Sequence, residues 1–134
     1  MPHLQFDLNF MPKPQDKTRF AETVVQHFGK VMDTGTDHVA VTLRCGARED
    51  LVFGRAGDPS RGIAFLNADL RRGRTPDQKR RFALAVIDEL ERVFDVPRSA
   101  VYVIFTEHDG PEFQMHDGVL PSWSAGEDPL EDLG

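Results

Sequence analysis

Leu4, Phe6, Leu8 and Phe10 alternate with polar residues, a period of two that predicts a strand with one buried face. Pro14 then opens a helix, at a position where a missing N–H costs nothing. Phe20, Val24, Val25, Phe28 and Val31 follow at helical spacing. The run from Val39 to Leu43 predicts a second strand rich in β-branched residues.

The same signals return further along the chain. Ile63 to Leu66 is a continuous apolar run, as in a strand covered on both faces. Thr75 is a candidate N-cap ahead of Pro76. Phe82, Val86, Leu90 and Val93 recur at helical spacing, and Val101 to Phe105 closes the second pattern. Shifted by 62 residues, positions 2–43 fall on 64–105 without a gap, with 13 identities in 42 positions. Asp7 and Leu8 meet Asp69 and Leu70; Lys17, Arg19, Phe20 and Ala21 meet Lys79, Arg81, Phe82 and Ala83. A repeat of this length fixes the architecture.

Each copy is a strand, a helix and a parallel strand, the βαβ crossover. The predicted fold is therefore α/β (α+β), a tandem β-α-β repeat. It has a four-stranded, mainly parallel sheet with two helices on one face. The copies span 2–45 and 62–107, joined by a linker over 46–61 and followed by a hairpin and tail over 108–134, in one domain over 1–134. The opposite sheet face would be left bare, which predicts an oligomer that covers it. The tail is expected to dock on a neighbouring subunit.

Composition narrows the classes. The chain of 134 residues is 40% hydrophobic and 28% charged, with a net charge of −6. That balance argues against nucleic acid as a partner, which needs a basic face. No apolar run approaches the ~20 residues that span a bilayer, and the N-terminus does not read as a signal peptide. No membrane partner is expected, and a cytoplasmic location is the default. With one cysteine there is no intrachain disulfide and no thiolate cluster for a metal. Cys45 reads as a small hydrophobe at a strand end.

Candidate chemistry lies where the two copies differ. Removal of Met1 would expose the secondary amine of Pro2. An α-amine titrates near ~7.7–8.0, and burial or nearby cations lower it, so it can serve as a general base. Its counterpart in the second copy is Ala64, so the scaffold does not demand proline there. Arg71, Arg72 and Arg74 precede the second helix, where the first copy has Asn9, Phe10 and Pro12. Guanidiniums beside a helix N-terminus suit a carboxylate. Asp37 and His38 stand where the second copy has Ser99 and Ala100. Either could handle a proton, and Asp37 could equally be a turn cap. His108-Asp109-Gly110 and His116-Asp117-Gly118 read as Asp-Gly turns, and no metal site is expected. His27 reads as solvated, on the polar side of the first helix.

An opening Met-Pro on a strand, a duplicated βαβ unit and paired arginines before the second helix resemble the tautomerase superfamily. The start Met-Pro-His-Leu-Gln-Phe-Asp-Leu resembles malonate semialdehyde decarboxylase. The run from Leu70 to Lys79, with Phe105-Thr106-Glu107 and Gly118-Val119-Leu120-Pro121, resembles cis-3-chloroacrylic acid dehalogenase. The spacing of Ala40-Val41 and the first helix is similar to the macrophage migration inhibitory factor group. The resemblance implies a homotrimer acting on a small carboxylate without a cofactor. It implies that Pro2 is the catalytic amine and that Arg71 and Arg74 bind the substrate carboxylate. It also implies that Asp37 activates water or handles a proton, with His38, Ile104 and His116 as further substrate-contacting positions. Ile104 stands where the dehalogenase has a catalytic tyrosine, and His116 where it has a water-activating glutamate, which weakens the case for dehalogenation. The function expected is a tautomerase acting on a 2-oxo acid or its enol. A hydratase, decarboxylase or dehalogenase, or a non-catalytic partner-binding protein of the same fold, are the alternatives.

Overall fold

The computed structural model describes residues 2–121 and Trp123. The first copy gives β1 (His3–Leu8), α1 (Pro14–Met32) and β2 (Ala40–Cys45). The second gives β3 (Ala64–Arg71), α2 (Pro76–Phe94) and β4 (Val101–His108), followed by a hairpin of β5 (Gln114–Met115) and β6 (Gly118–Val119). The repeat holds to the residue. Both helices begin on the proline that the sequence marks, and both stop on an aspartate in the left-handed conformation, Asp33 (φ 52°) and Asp95 (φ 55°). Within each copy the strands pair in parallel and in the same register, His3 beside Ala40 and Ala64 beside Val101.

The sheet order is β2-β1-β3-β4. Two of its three pairings are parallel, as expected, but the central β1–β3 pair is antiparallel. Gln5 lies opposite Asn67, its own counterpart in the repeat. A local two-fold axis therefore passes between them and relates the copies.

One face of the sheet carries both helices. Leu4, Phe6 and Leu8 of β1 and Leu66, Ala68 and Leu70 of β3 meet Phe20, Val24 and Phe28 of α1 and Phe82, Val86 and Leu90 of α2, all buried. Fully burying each large side chain contributes about 1.5–3 kcal/mol. The rings meet edge to face, Phe6 with Phe20 at 5.1 Å and Phe28 with Phe82 at 5.2 Å, the arrangement their quadrupoles favour. Between the helices, Glu89 is buried and accepts from Arg92 (2.7 Å), with the His27 ring 3.6 Å away. His27 is thus not simply solvated. It reaches across to an acid of α2, a contact that needs the helix pairing and is invisible in one helix alone.

The opposite face is less apolar than the strand pattern implied. His3 meets Thr42 (2.8 Å), Arg44 meets Asp7 (2.8 Å), Thr106 meets Asn67 (3.3 Å) and His108 meets Asp69 (2.8 Å). These cross-strand pairs satisfy polar groups that point away from the core. Among the described residues, its apolar surface centres on Phe53 of the linker, Phe65, Tyr102 and Ile104, where Phe53 packs on the rings of Phe65 and Tyr102.

Left-handed backbone strains any residue with a Cβ by ~1–2 kcal/mol, somewhat less for aspartate. Replacing Asp33 by glycine relieves that strain at some cost in chain entropy. Asp33→Gly is expected to raise stability by about 0.5–1 kcal/mol in urea denaturation. A loss instead would show that the Asp33 side chain holds the helix end in some other way.

Candidate active site at one end of the sheet

Pro2 is buried immediately before β1, and its carbonyl accepts the Ala40 N–H at the start of β2 (3.1 Å). Because β1 and β3 run antiparallel with His3 opposite Asp69, one further step along the ladder sets Pro2 opposite Leu70, next to Arg71. Adjacent strands lie about 4.8 Å apart. The parallel β1–β2 pair starts at this same end, so Asp37 and His38, in the turn before β2, lie there too. Asp37 is exposed and His38 half-buried. The central antiparallel pairing thus gathers Pro2, Asp37, His38 and Arg71 at one end of the sheet.

The three arginines that the sequence marks do different things. Arg71 ends β3 with 1% of its surface exposed, and its Nη1 donates to the Pro121 carbonyl (2.7 Å). Gly73, at φ 123°, makes the turn that a Cβ-bearing residue would resist. Arg74 is 5% exposed, and its Nη1 donates to the Arg71 carbonyl (3.2 Å). Its guanidinium lies 4.4 Å from the Trp123 ring centroid and 5.7 Å from that of Phe28. Arg72 points outward to Asp109 (2.9 Å) and Glu107 (3.5 Å). Thr75 then caps α2 as expected: its Oγ1 accepts the Gln78 N–H (3.1 Å) while Gln78 Oε1 accepts the Thr75 N–H (2.9 Å).

Buried guanidiniums are rare without a task or a partner. Two of them within one turn can bind and orient a small carboxylate in a site of low polarity.

Sequence reasoning missed a pair next to this site. His108 lies beside Arg71 in the β3–β4 register, and its Nε2 is 2.8 Å from Asp69 Oδ1. The sequence showed His108 only as part of an Asp-Gly turn. Its signal was the parity of the strand: residues 65, 67, 69 and 71 share a face with 102, 104, 106 and 108. Two other marked positions are not brought here within one chain. Ile104 lies midway along β4, on the open face beside Asn67. His116 is exposed in the turn of the β5–β6 hairpin. Asp117 lies in the hairpin turn, as read from sequence, with Gly118 opening β6, whereas Asp109 leads into a 3-10 helix over Gly110–Glu112 and makes no Asp-Gly turn. Beyond Trp123, the tail lies outside the described residues.

The architecture defines a class. By structure the chain is similar to macrophage migration inhibitory factor of Toxoplasma gondii, with 18% identity, 88% of this chain and 99% of that one covered, and a TM-score of 0.75. It is similar to FG41 malonate semialdehyde decarboxylase inhibited by 3-bromopropiolate, with 19% identity, coverage of 83% and 86%, and a TM-score of 0.71. It is similar to a fused 4-OT solved as an asymmetric trimer, with 18% identity, coverage of 87% and 94%, and a TM-score of 0.74. No curated protein matches it by sequence. These likenesses establish the tautomerase fold over the chain. Residues 65–121, which hold both buried arginines, match the family model described as Tautomerase enzyme. The likeness over the whole chain is thus one of fold, and the family match is confined to the second copy and the hairpin that follows it.

An ionic cluster braces the arginine turn. Glu107 pairs with Lys79 in the first turns of α2 and with Arg72. The Lys79 ammonium, donating to Glu107, holds this carboxyl below its usual range against the opposing effect of burial, with a lesser contribution from the charge of Arg72. A carboxyl depressed in the folded state binds fewer protons than in the unfolded chain near ~pH 4.3. Its contribution to stability is complete above that pH and is lost as pH falls through the folded value. Glu107→Gln is therefore expected to flatten the acid limb of stability below about pH 4.3, with less effect at pH 7 on that slope. Thermal unfolding followed from pH 7 to pH 3 checks this; an unchanged slope would mean that the pair adds nothing.

Proposed function

We propose that the chain is a cofactor-independent acid–base enzyme of the tautomerase type, with the secondary amine of Pro2 as its proton carrier once Met1 is removed. The observation that carries this reading is the convergence of a buried Pro2 with the buried cation Arg71 at one end of the sheet, Arg74 following one turn later. Arg71 and Arg74 grip the carboxylate of a 2-oxo acid or its enol. The neutral amine removes a proton from the enol oxygen or from the adjacent carbon and returns it to the other. The guanidiniums favour the neutral amine at pH 7 and stabilise charge that builds on the substrate oxygen. The open face with Phe53, Phe65, Tyr102 and Ile104 serves as the interface of a homotrimer, in which Ile104 and His116 contribute to a neighbour's site.

A second reading has support in the position of Asp37. This carboxylate lies at the Pro2 end, where it can prepare a water for addition to a three-carbon acid. Pro2 would then act as its protonated form, in a hydratase or decarboxylase like the malonate semialdehyde decarboxylase that the fold resembles. The pH profile separates the two. A base loses activity as pH falls through its pKa, and an acid loses it as pH rises. If Met1 is retained, Pro2 is an amide and neither chemistry is available. The protein would then bind a partner without catalysis.

Intact mass and a screen of phenylenolpyruvate, acetylenic acids and malonate semialdehyde test the proposal. Arg71→Ala and Arg74→Ala are each expected to lower kcat/KM by about 2–4 kcal/mol, largely through KM. Pro2→Ala keeps an amine and is expected to retain part of the activity. A mass that includes Met1, or full activity in all three variants, would overturn the assignment.

A further inference from the structure

Leu120, Pro121 and Trp123 are seated over the two buried arginines by several independent devices. Leu120 is buried, and its N–H donates to the Phe113 carbonyl (3.2 Å). Gly110 lacks the Cβ that would overlap the Leu120 and Pro121 carbonyls. Gly73 lacks one that would come within 3.2 Å of Trp123. The Pro121 carbonyl accepts from Arg71, and the Trp123 ring lies against the Arg74 guanidinium. This ring contact is a cation–π interaction shielded from water. The indole N–H of Trp123 is buried and has no hydrogen-bond partner among the described residues. An unsatisfied buried donor costs enough that native structures rarely keep one without a use.

We propose that Trp123 is a specificity-determining residue of this site: its indole N–H donates to an oxygen on the carbon next to the ligand's carboxylate, while its ring keeps Arg74 in place. The inference rests on the reading that Arg71 and Arg74 hold a carboxylate, and adds what the site recognises beside it. A guanidinium pair answers the charge of any carboxylate. A neutral donor one step away favours a 2-oxo or enol oxygen over a plain methylene. Such a donor discriminates because, with the deoxy ligand, it stays buried and unpaired.

Trp123 is the sole tryptophan of the chain, so its emission reports the site directly. Pyruvate and propionate are titrated into the protein, with binding measured by calorimetry and indole emission read in parallel with absorbance correction. Pyruvate is expected to bind about 10-fold more tightly than propionate, and both to shift the emission saturably. Trp123→Phe keeps a ring over Arg74 and removes the N–H. It is expected to lose the preference for pyruvate while binding propionate as the wild type does, with unfolding temperature as the control for folding. Trp123→Ala removes ring and donor and is expected to weaken both ligands. Saturable binding without an emission change, or an undiminished pyruvate preference in Trp123→Phe, overturns the proposal and leaves the carboxylate site standing. Absence of binding of either ligand to the wild type sinks both.

Discussion

The antiparallel pairing of β1 with β3 is the constraint on which the rest depends. Each βαβ copy alone would bury one face of two strands under one helix, too little core to stand by itself. Joining the copies through β1 and β3 makes a continuous sheet, brings α1 and α2 together and closes one core between them. The direction of that pairing matters as much as its existence. Only an antiparallel junction sets the start of β1 beside the end of β3, and so sets Pro2 beside Arg71.

From that junction the chemistry of the sheet end follows in steps. Arg71 sits where β3 finishes, so its backbone is held by the ladder while its side chain is covered by Pro121. Gly73 turns the chain back, which returns Arg74 to donate to the Arg71 carbonyl. Thr75 and Gln78 then fix where α2 begins. Arg72, the one arginine facing water, joins Lys79 in holding Glu107. Surface pairs of this kind are individually weak, and their use here is to fix a turn whose two neighbouring cations are buried.

The repeat makes much of this legible in the sequence alone. Helix starts at Pro14 and Pro76, the cap at Thr75 and the parallel pairs within copies are local matters, set by spacing within some forty residues. The contrast between copies also pointed to Pro2, Arg71 and Arg74. What sequence did not show were contacts between copies and from the last segment. The antiparallel centre, the approach of His27 to Glu89 and the pairing of His108 with Asp69 all depend on which strands and helices become neighbours. The polar pairs of the open face are hidden for a related reason: nothing in the sequence joins Asp7 to Arg44, which only the β1–β2 register puts opposite each other. Nothing local in the sequence links Trp123 to Arg74, so their contact is not legible there.

The local two-fold axis gives the structure an internal control. The axis through Gln5 and Asn67 makes the two ends of the sheet equivalent as scaffolds. At the far end, Ala64 stands for Pro2, and Asn9 stands for Arg71. Asn9 is as buried as Arg71, and it uses its amide to accept the Ile63 N–H (2.7 Å) and to donate to the Arg48 carbonyl (3.4 Å). A neutral amide is enough to staple the loop there. Stability alone therefore does not require a guanidinium at this position, and a buried cation is the more costly choice because its desolvation must be offset. The second βαβ copy places one all the same, and adds another three residues on. The same fold thus carries a structural end and a charged end, and the difference between them cannot be ascribed to the fold.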